Sequence, residues 1–340
     1  MSTRLETFQN IINGQGEGYL TAAWKHFVGE EYDRARFVKA HVDFVQQWDW
    51  DWVKINPRAN YYAETWGASY DPTNYDIMVP TLVEAAITKP SDLSKIVPLK
   101  AQDNPILREE IARAREIKQA FPDRAVIQSV FSPLGVLLFL ADIHPFPPGP
   151  GREANGPVSL TDLLDTDRAL TLKALEAITE TLKDYVIELL KPVEEGGAGL
   201  DGIFYAVLGL PSKSFIPKDK FDQLSTPFDL GVLEAAKGSA VVFHTCSMDS
   251  HPDWFTQWPL SALQWDQFLD GNPDITTDLG VIPVGGPEAR LFEEGQDLDL
   301  LQEQLARTLE QRQGKPFLLA SSCSLPLHTS DEALEILSKA

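Results

Sequence analysis

Cysteine is scarce in this chain: 340 residues contain only Cys246 and Cys323. Two thiols cannot build a disulfide framework, so each is read as a metal ligand, a catalytic group or a plain core residue. Long apolar runs are also missing. The longest strongly apolar stretch, Pro133 to Ala141, is about half of the ~20 residues that cross a bilayer, and it reads as a core strand or helix. The opening residues Met1-Ser2-Thr3-Arg4-Leu5-Glu6 lack an apolar export segment, and Thr3 with Glu6 reads as a capping box starting a helix. The expected address is therefore cytoplasmic. Basic residues are few and dispersed: 29 Lys and Arg stand against 50 Asp and Glu, a formal charge of −21. Such a chain repels phosphate backbones and anionic membrane surfaces, so neither nucleic acid nor membrane is expected as a partner. Internal repeats and low-complexity tracts are absent as well.

What is present is a globular composition, 43% hydrophobic and 23% charged, enough to bury a sizeable core. Short, often β-branched apolar runs alternate with longer segments of helical period. The predicted strands are Tyr19–Trp24, Trp52–Asn56, Ala125–Phe131, Gly202–Leu208, Ala240–Thr245, Leu263–Trp265, Gly280–Val284 and Pro316–Ala320. Eight strands alternating with helices predict an α/β fold, a (β/α)8 TIM barrel over residues 1–340 with an N-terminal helical extension. Leu170, Leu175, Ile178, Leu182, Val186 and Leu189, like Leu298, Leu301, Leu305 and Leu309, recur at helical steps and predict buried helix faces. The stretch from Ile143 to Val158, with prolines at 145, 147, 148, 150 and 157, cannot be helix. It reads equally as a lid, a subunit contact or a disordered insertion.

His244 and Cys246 close the run Ala240-Val241-Val242-Phe243-His244-Thr245-Cys246. Residues two apart on a strand face one side, so imidazole and thiol point to the same place. Cys323 follows the apolar run Pro316 to Ala320, again at a strand's C-terminal end. A barrel gathers those ends on one face, where one His and two Cys make a zinc ligand set with an open fourth position. The same residues read equally well as two small buried hydrophobes and a hydrogen-bonded core histidine. Around them, Asp249 and His251 offer a further ligand or a supporting shell, and Asp266 a carboxylate able to orient His244. Lys54 and Arg58 are the basic groups nearest the mouth, suited to an anionic substrate group or to plain ion pairs. Tyr61, Tyr62, Glu64 and Trp66 follow the second strand and line or pack a pocket. His144 has no evident partner.

In order and spacing these pieces resemble the uroporphyrinogen decarboxylase superfamily, and within it the branch of methylcobalamin:coenzyme M methyltransferases. The resemblance spans nearly the whole chain. It rests on the opening helix with Arg4, Val53-Lys54-Ile55 leading to Trp66-Gly67, and Gly199-Leu200-Asp201-Gly202-Ile203-Phe204. It continues through His244-Thr245-Cys246, Trp265-Asp266, Pro283-Val284-Gly285-Gly286, and Ser322-Cys323-Ser324-Leu325-Pro326 before Thr329. It implies zinc held by His244, Cys246 and Cys323, a corrinoid (methylcobalamin) co-substrate carried by a separate corrinoid protein, and a small thiol as methyl acceptor. On this reading Asp266 and Asp249 are the catalytic carboxylates and Lys54, Arg58, Tyr62 and Trp66 bind substrate.

The chain departs from the decarboxylases. The arginine-rich loop expected after the first strand is replaced by Lys25-His26-Phe27-Val28-Gly29, and the aspartate expected after the second by Asn56-Pro57-Arg58. A tetrapyrrole polycarboxylate would lack its clamp. Ser247 and Ser330 stand where the methyltransferases commonly carry glycine and proline. Two further readings leave the triad unused. One is a metal-free decarboxylase or lyase acting on a smaller substrate; the other is a non-catalytic corrinoid- or tetrapyrrole-binding protein.

Overall fold

The computed structural model describes residues 2–76, 78–147 and 156–340. Residues 148–155, which include part of the proline-rich stretch, lie outside the described residues. Eight strands are parallel: β1 (Tyr19–Thr21), β2 (Val53–Ile55), β5 (Val126–Phe131), β6 (Gly202–Leu208), β7 (Ala240–Thr245), β8 (Ala262–Gln264), β9 (Ile282–Gly285) and β10 (Phe317–Leu319). They follow the eight predicted segments, with ends shifted by up to three residues. The sheet runs β1-β10-β9-β8-β7-β6-β5-β2. Its two edge strands meet where the Asp51 amide donates to the Thr21 carbonyl (2.9 Å) and the Asp51 carboxylate accepts from the Thr21 amide (2.9 Å). One side chain thus replaces a ladder bond at the seam of a TIM barrel.

Alternation sorts each strand into an inner and an outer set. Val53, Ile55, Val130, Ile203, Tyr205, Val241, Phe243 and Leu263 face the helices and join the larger core cluster. Leu20, Ala22, Trp24, Trp52, Ile127, Phe204, Val242, Val284 and Leu318 fill the lumen. The helix Arg4–Ile12 begins with the Thr3/Glu6 capping box and inserts Phe8 and Ile11 into the lower end of that lumen. Arg4 pins it by a bidentate pair to Asp49 (2.8 and 2.6 Å) and by Asp51 (3.0 Å).

The long helix Arg168–Leu190 buries Leu175, Ile178, Leu182, Val186 and Leu189, and Leu298–Gln311 buries Leu301 and Leu305. Pro133–Leu140 is a short, almost fully buried helix. The helical layer is uneven: β7 to β8 carries only a 3-10 turn, Pro252–Phe255, and β8 to β9 carries no helix. One pair of strands was not expected from the sequence. β3 (Ser69–Asp76) and β4 (Val79–Glu84) form an irregular antiparallel hairpin after β2. The start of the proline-rich stretch packs onto the loop after β6: Gly209 donates to the Pro145 carbonyl (3.1 Å), and a side chain at Gly209 would meet the Phe146 ring at 2.4 Å. Among the described residues no helix is long and apolar enough to cross a membrane.

Candidate metal centre

β7 delivers His244 at its upper end, in register with Ala206 of β6 and Gln264 of β8. The chain then leaves the barrel through Cys246, whose amide donates to the Leu208 carbonyl (3.0 Å). Leu208, Ser247, Asp249 and His251 all take left-handed backbone conformations (φ 57°, 75°, 48° and 49°). None is glycine, and such strain persists only where the surroundings hold it, commonly at functional sites. Asn272 braces the loop that carries Ser247, Asp249 and His251. Its amide nitrogen donates to the carbonyls of Ser247 (2.9 Å) and Asp266 (2.7 Å), and its oxygen accepts from the Ser250 amide (2.8 Å).

Cys323 arrives four residues beyond the end of β10, which β8 and β9 separate from β7. Gly286 makes this approach possible, since a Cβ there would lie 2.3 Å from the Ala320 carbonyl oxygen. The Ser322 amide donates to the Pro287 carbonyl (2.8 Å), and the Leu325 amide to the Trp24 carbonyl (2.9 Å). The result is a cluster in which the ligand atoms of His244, Cys246 and Cys323 all lie within 4.8 Å of one another.

Two features fit this cluster to a metal ion. His244 is buried, and its Nδ1 finds no hydrogen-bond partner among the described residues, a cost that coordination of the ring would offset. The hydrogen bond with Cys246 holds Cys323 well below the ordinary thiol range against the opposing effect of burial, and His244 adds to that lowering. The same contact, reinforced by burial, pushes Cys246 well above it. A two-sulfur, one-nitrogen donor set suits zinc, and three protein ligands leave one position open.

Lys54 belongs to this layer of the lumen. Its ammonium lies 4.0 Å over the Phe204 ring and 4.9 Å from the Trp24 ring centre, and it donates to Asn56 Oδ1 (2.7 Å). Burial brings its pKa down to about 7, opposed by the charges of Cys323 and Cys246. Asn56 Nδ2 and Gln264 Oε1 are buried without hydrogen-bond partners among the described residues, while Gln264 Nε2 donates to the Ser321 carbonyl (3.2 Å). Asp266 is buried beside Cys323; burial raises its pKa, and its carboxylate accepts from the Phe268 amide (3.0 Å). No hydrogen bond joins it to His244.

The remaining candidates have other partners. Arg58 is buried in an ion-pair network with Glu64 (2.5 Å) and Glu110 (2.8 Å), so its guanidinium is engaged within the protein. Tyr62 is buried, donating to the Ser129 carbonyl (3.0 Å) and accepting from the Phe131 amide (3.1 Å). Trp66 donates to the Val97 carbonyl (2.9 Å). Asp249 packs its carboxylate where a Gly271 side chain would stand, and His251 stacks on Trp254 at 4.5 Å. His144 lines a cavity of about 280 Å³ between the hairpin and the helix Pro133–Leu140. Asn56, Phe204, Gln264 and Asn272 have no site role in the sequence analysis. For Asn56 and Phe204 the signal was available, since Lys54 and Asn56 share one strand face and Phe204 lies on a strand beside that of His244.

No known family profile matches the sequence, and no curated protein sequence matches it. Among solved structures, the chain is similar to one described as a methyltransferase from Methanosarcina mazei. The two superpose with a TM-score of 0.77 over 100% of this chain and 98% of that one, at 14% sequence identity. That likeness shows a shared fold.

Proposed function

We propose that this protein is a zinc-dependent methyltransferase that moves a methyl group between a corrinoid and a small thiol. The observation that carries the reading is the convergence of His244, Cys246 and Cys323 at the C-terminal end of the barrel, where enzymes of this fold do chemistry. The methyltransferase description of the structural neighbour supports the reaction class by analogy. A zinc ion held by these residues would supply a Lewis acid that deprotonates a thiol at the open position.

The chain's own groups would do the rest. His244 and the two cysteines would hold the ion by three ligands, leaving a fourth position for the thiol. Trp24, Trp52 and Phe204 close the lumen below the cluster and exclude water. Lys54, anchored by Asn56, places a cation beside the sulfurs and so stabilises the added negative charge of an incoming thiolate. Asp266 stays on the Cys323 side, where its raised pKa reflects burial. The mouth above remains for the corrinoid, presented by a separate carrier protein.

The test is to incubate zinc-loaded protein with methylcobalamin and mercaptoethanol and to follow loss of the methylcobalamin absorption together with thioether formation. Turnover that vanishes in Cys246→Ser and Cys323→Ser supports the reading. Cobalamin binding without transfer to any thiol favours a corrinoid-binding role instead. Carboxylate loss from a small substrate, unaffected by either replacement, favours a metal-free lyase.

A further inference from the structure

The loop after β1 carries an arrangement that the reading above leaves unused. His26 Nδ1 stands 3.1 Å from Glu31 Oε1, and the Glu31 side chain is fully buried. The Glu31 main-chain carbonyl accepts from the guanidinium groups of Arg113 (2.7 Å) and Arg58 (3.4 Å), which fixes this turn of the loop. Tyr75 of the hairpin lies against the Glu31 carboxylate, its phenol pushed up to about 12 by burial and then by the Glu31 charge.

An ionised carboxylate only accepts, so in the neutral ring the Nδ1 carries the proton and Nε2 keeps its lone pair. Nε2 takes no partner among the described residues, and the side chain is 11% exposed. A carboxylate that fixes the tautomer of an imidazole with a free nitrogen is the arrangement of a general base.

Its place is equally specific. The preceding residue, Lys25, donates to the Leu327 carbonyl (3.0 Å) and to Thr329 Oγ1 (3.3 Å), and the Trp24 carbonyl accepts from the Leu325 amide (2.9 Å). The segment bearing His26 is therefore laced to the segment that follows Cys323, at the same end of the barrel as the triad.

We propose that His26, oriented by Glu31, is the base that receives the proton of the thiol as its sulfur enters the open position beside His244, Cys246 and Cys323. This rests on the thiol-methyltransferase reading. The S–H bond breaks with its electron pair retained on sulfur, and a new N–H bond forms at Nε2. The resulting imidazolium faces the Glu31 carboxylate and passes its proton to solvent along its exposed edge. Glu31 acts through His26 as a positioning residue.

The experiment uses cobalt(II)-loaded protein mixed rapidly with mercaptoethanol near pH 7, following the thiolate-to-cobalt absorption band. His26→Ala is expected to slow the appearance of the band about tenfold or more, with unchanged cobalt content and final amplitude. Added imidazole is expected to restore the rate in proportion to its concentration, a response that a purely structural role would not produce. Glu31→Gln is expected to slow the rate less. Unchanged rates in both variants, or a slow His26→Ala that ignores imidazole and binds less cobalt, overturn the assignment while the thiol reading stands. Absence of the band in cobalt-loaded parent protein removes the thiol reading and this proposal with it.

Discussion

Lys54 and His244 lie against the same aromatic ring: Phe204 has the ammonium 4.0 Å from its centre and the imidazole ring 5.5 Å away. The ring fills the lumen below the triad and offers a π-face to a cation removed from water, where such a contact is worth about 2 kcal/mol. It also separates that cation from a ring that must stay neutral to bind a metal.

A double-mutant cycle measures the first of these roles. At pH 6, below the Lys54 pKa of about 7, urea unfolding of parent, Phe204→Leu, Lys54→Met and the double variant is expected to give a coupling of about 1 to 2 kcal/mol. At pH 9, where the amine is neutral, the coupling is expected to shrink toward zero. A coupling that ignores pH would mean the ring acts on Lys54 through packing alone.

The barrel seam makes a second prediction. Asp51 is bonded to the Thr21 amide and to Arg4, in addition to its own amide bond to the Thr21 carbonyl. Asp51→Ala is expected to destabilise the fold by about 1 to 3 kcal/mol by leaving the strand amide and the guanidinium short of an acceptor. Faster hydrogen exchange confined first to residues 19–21 and 53–55 would locate the damage at the seam; uniform acceleration would place it elsewhere.

A third concerns pH. Asp229 is fully buried, bonded to Tyr205 (2.6 Å) and Ser225 (2.6 Å), and burial raises its pKa to about 6. A carboxyl raised on folding holds its proton more tightly in the native state. Its contribution is therefore fully present below about pH 4 and lost as pH rises through about 6. Asp229→Asn has no such titration. From pH 4 to pH 8 its stability relative to the parent is expected to rise by about 2 to 3 kcal/mol in urea titrations. A constant difference would show that the buried carboxyl does not titrate in this range.

The strands were legible because each is a short apolar run, and the inner and outer sets follow from alternation alone. His244 and Cys246 could be placed on one side of one strand by the same rule, and Cys323 at another strand's C-terminal end on the same face by the closure of a barrel. Contacts set by tertiary folding were not legible. Arg58 looks like a free cation near the mouth until Glu110, 52 residues away, is packed against it. The hairpin from Ser69 to Glu84 is polar and irregular in register, and Asp71-Pro72-Thr73-Asn74 carries turn chemistry, so no period marks it as two strands. The His26–Glu31 pair lies in a loop, where spacing carries no information about which side chains meet.

The triad itself makes the last prediction. Its three ligand atoms lie within 4.8 Å of one another on two segments that approach only in the folded barrel, so metal and fold support each other. Parent protein is expected to bind about one zinc per chain and to gain thermal stability from it. Cys246→Ser, Cys323→Ser and His244→Ala are each expected to lose most of that zinc while keeping the far-ultraviolet circular dichroism of the parent, since the lumen core beneath is unchanged. Chelation of the parent is expected to lower its melting temperature to that of the metal-free protein and to leave the three variants unmoved. Elemental analysis beside melting curves decides the matter. Stoichiometric zinc retained in all three variants would place the metal elsewhere, and no zinc in a folded parent would return both cysteines to the core.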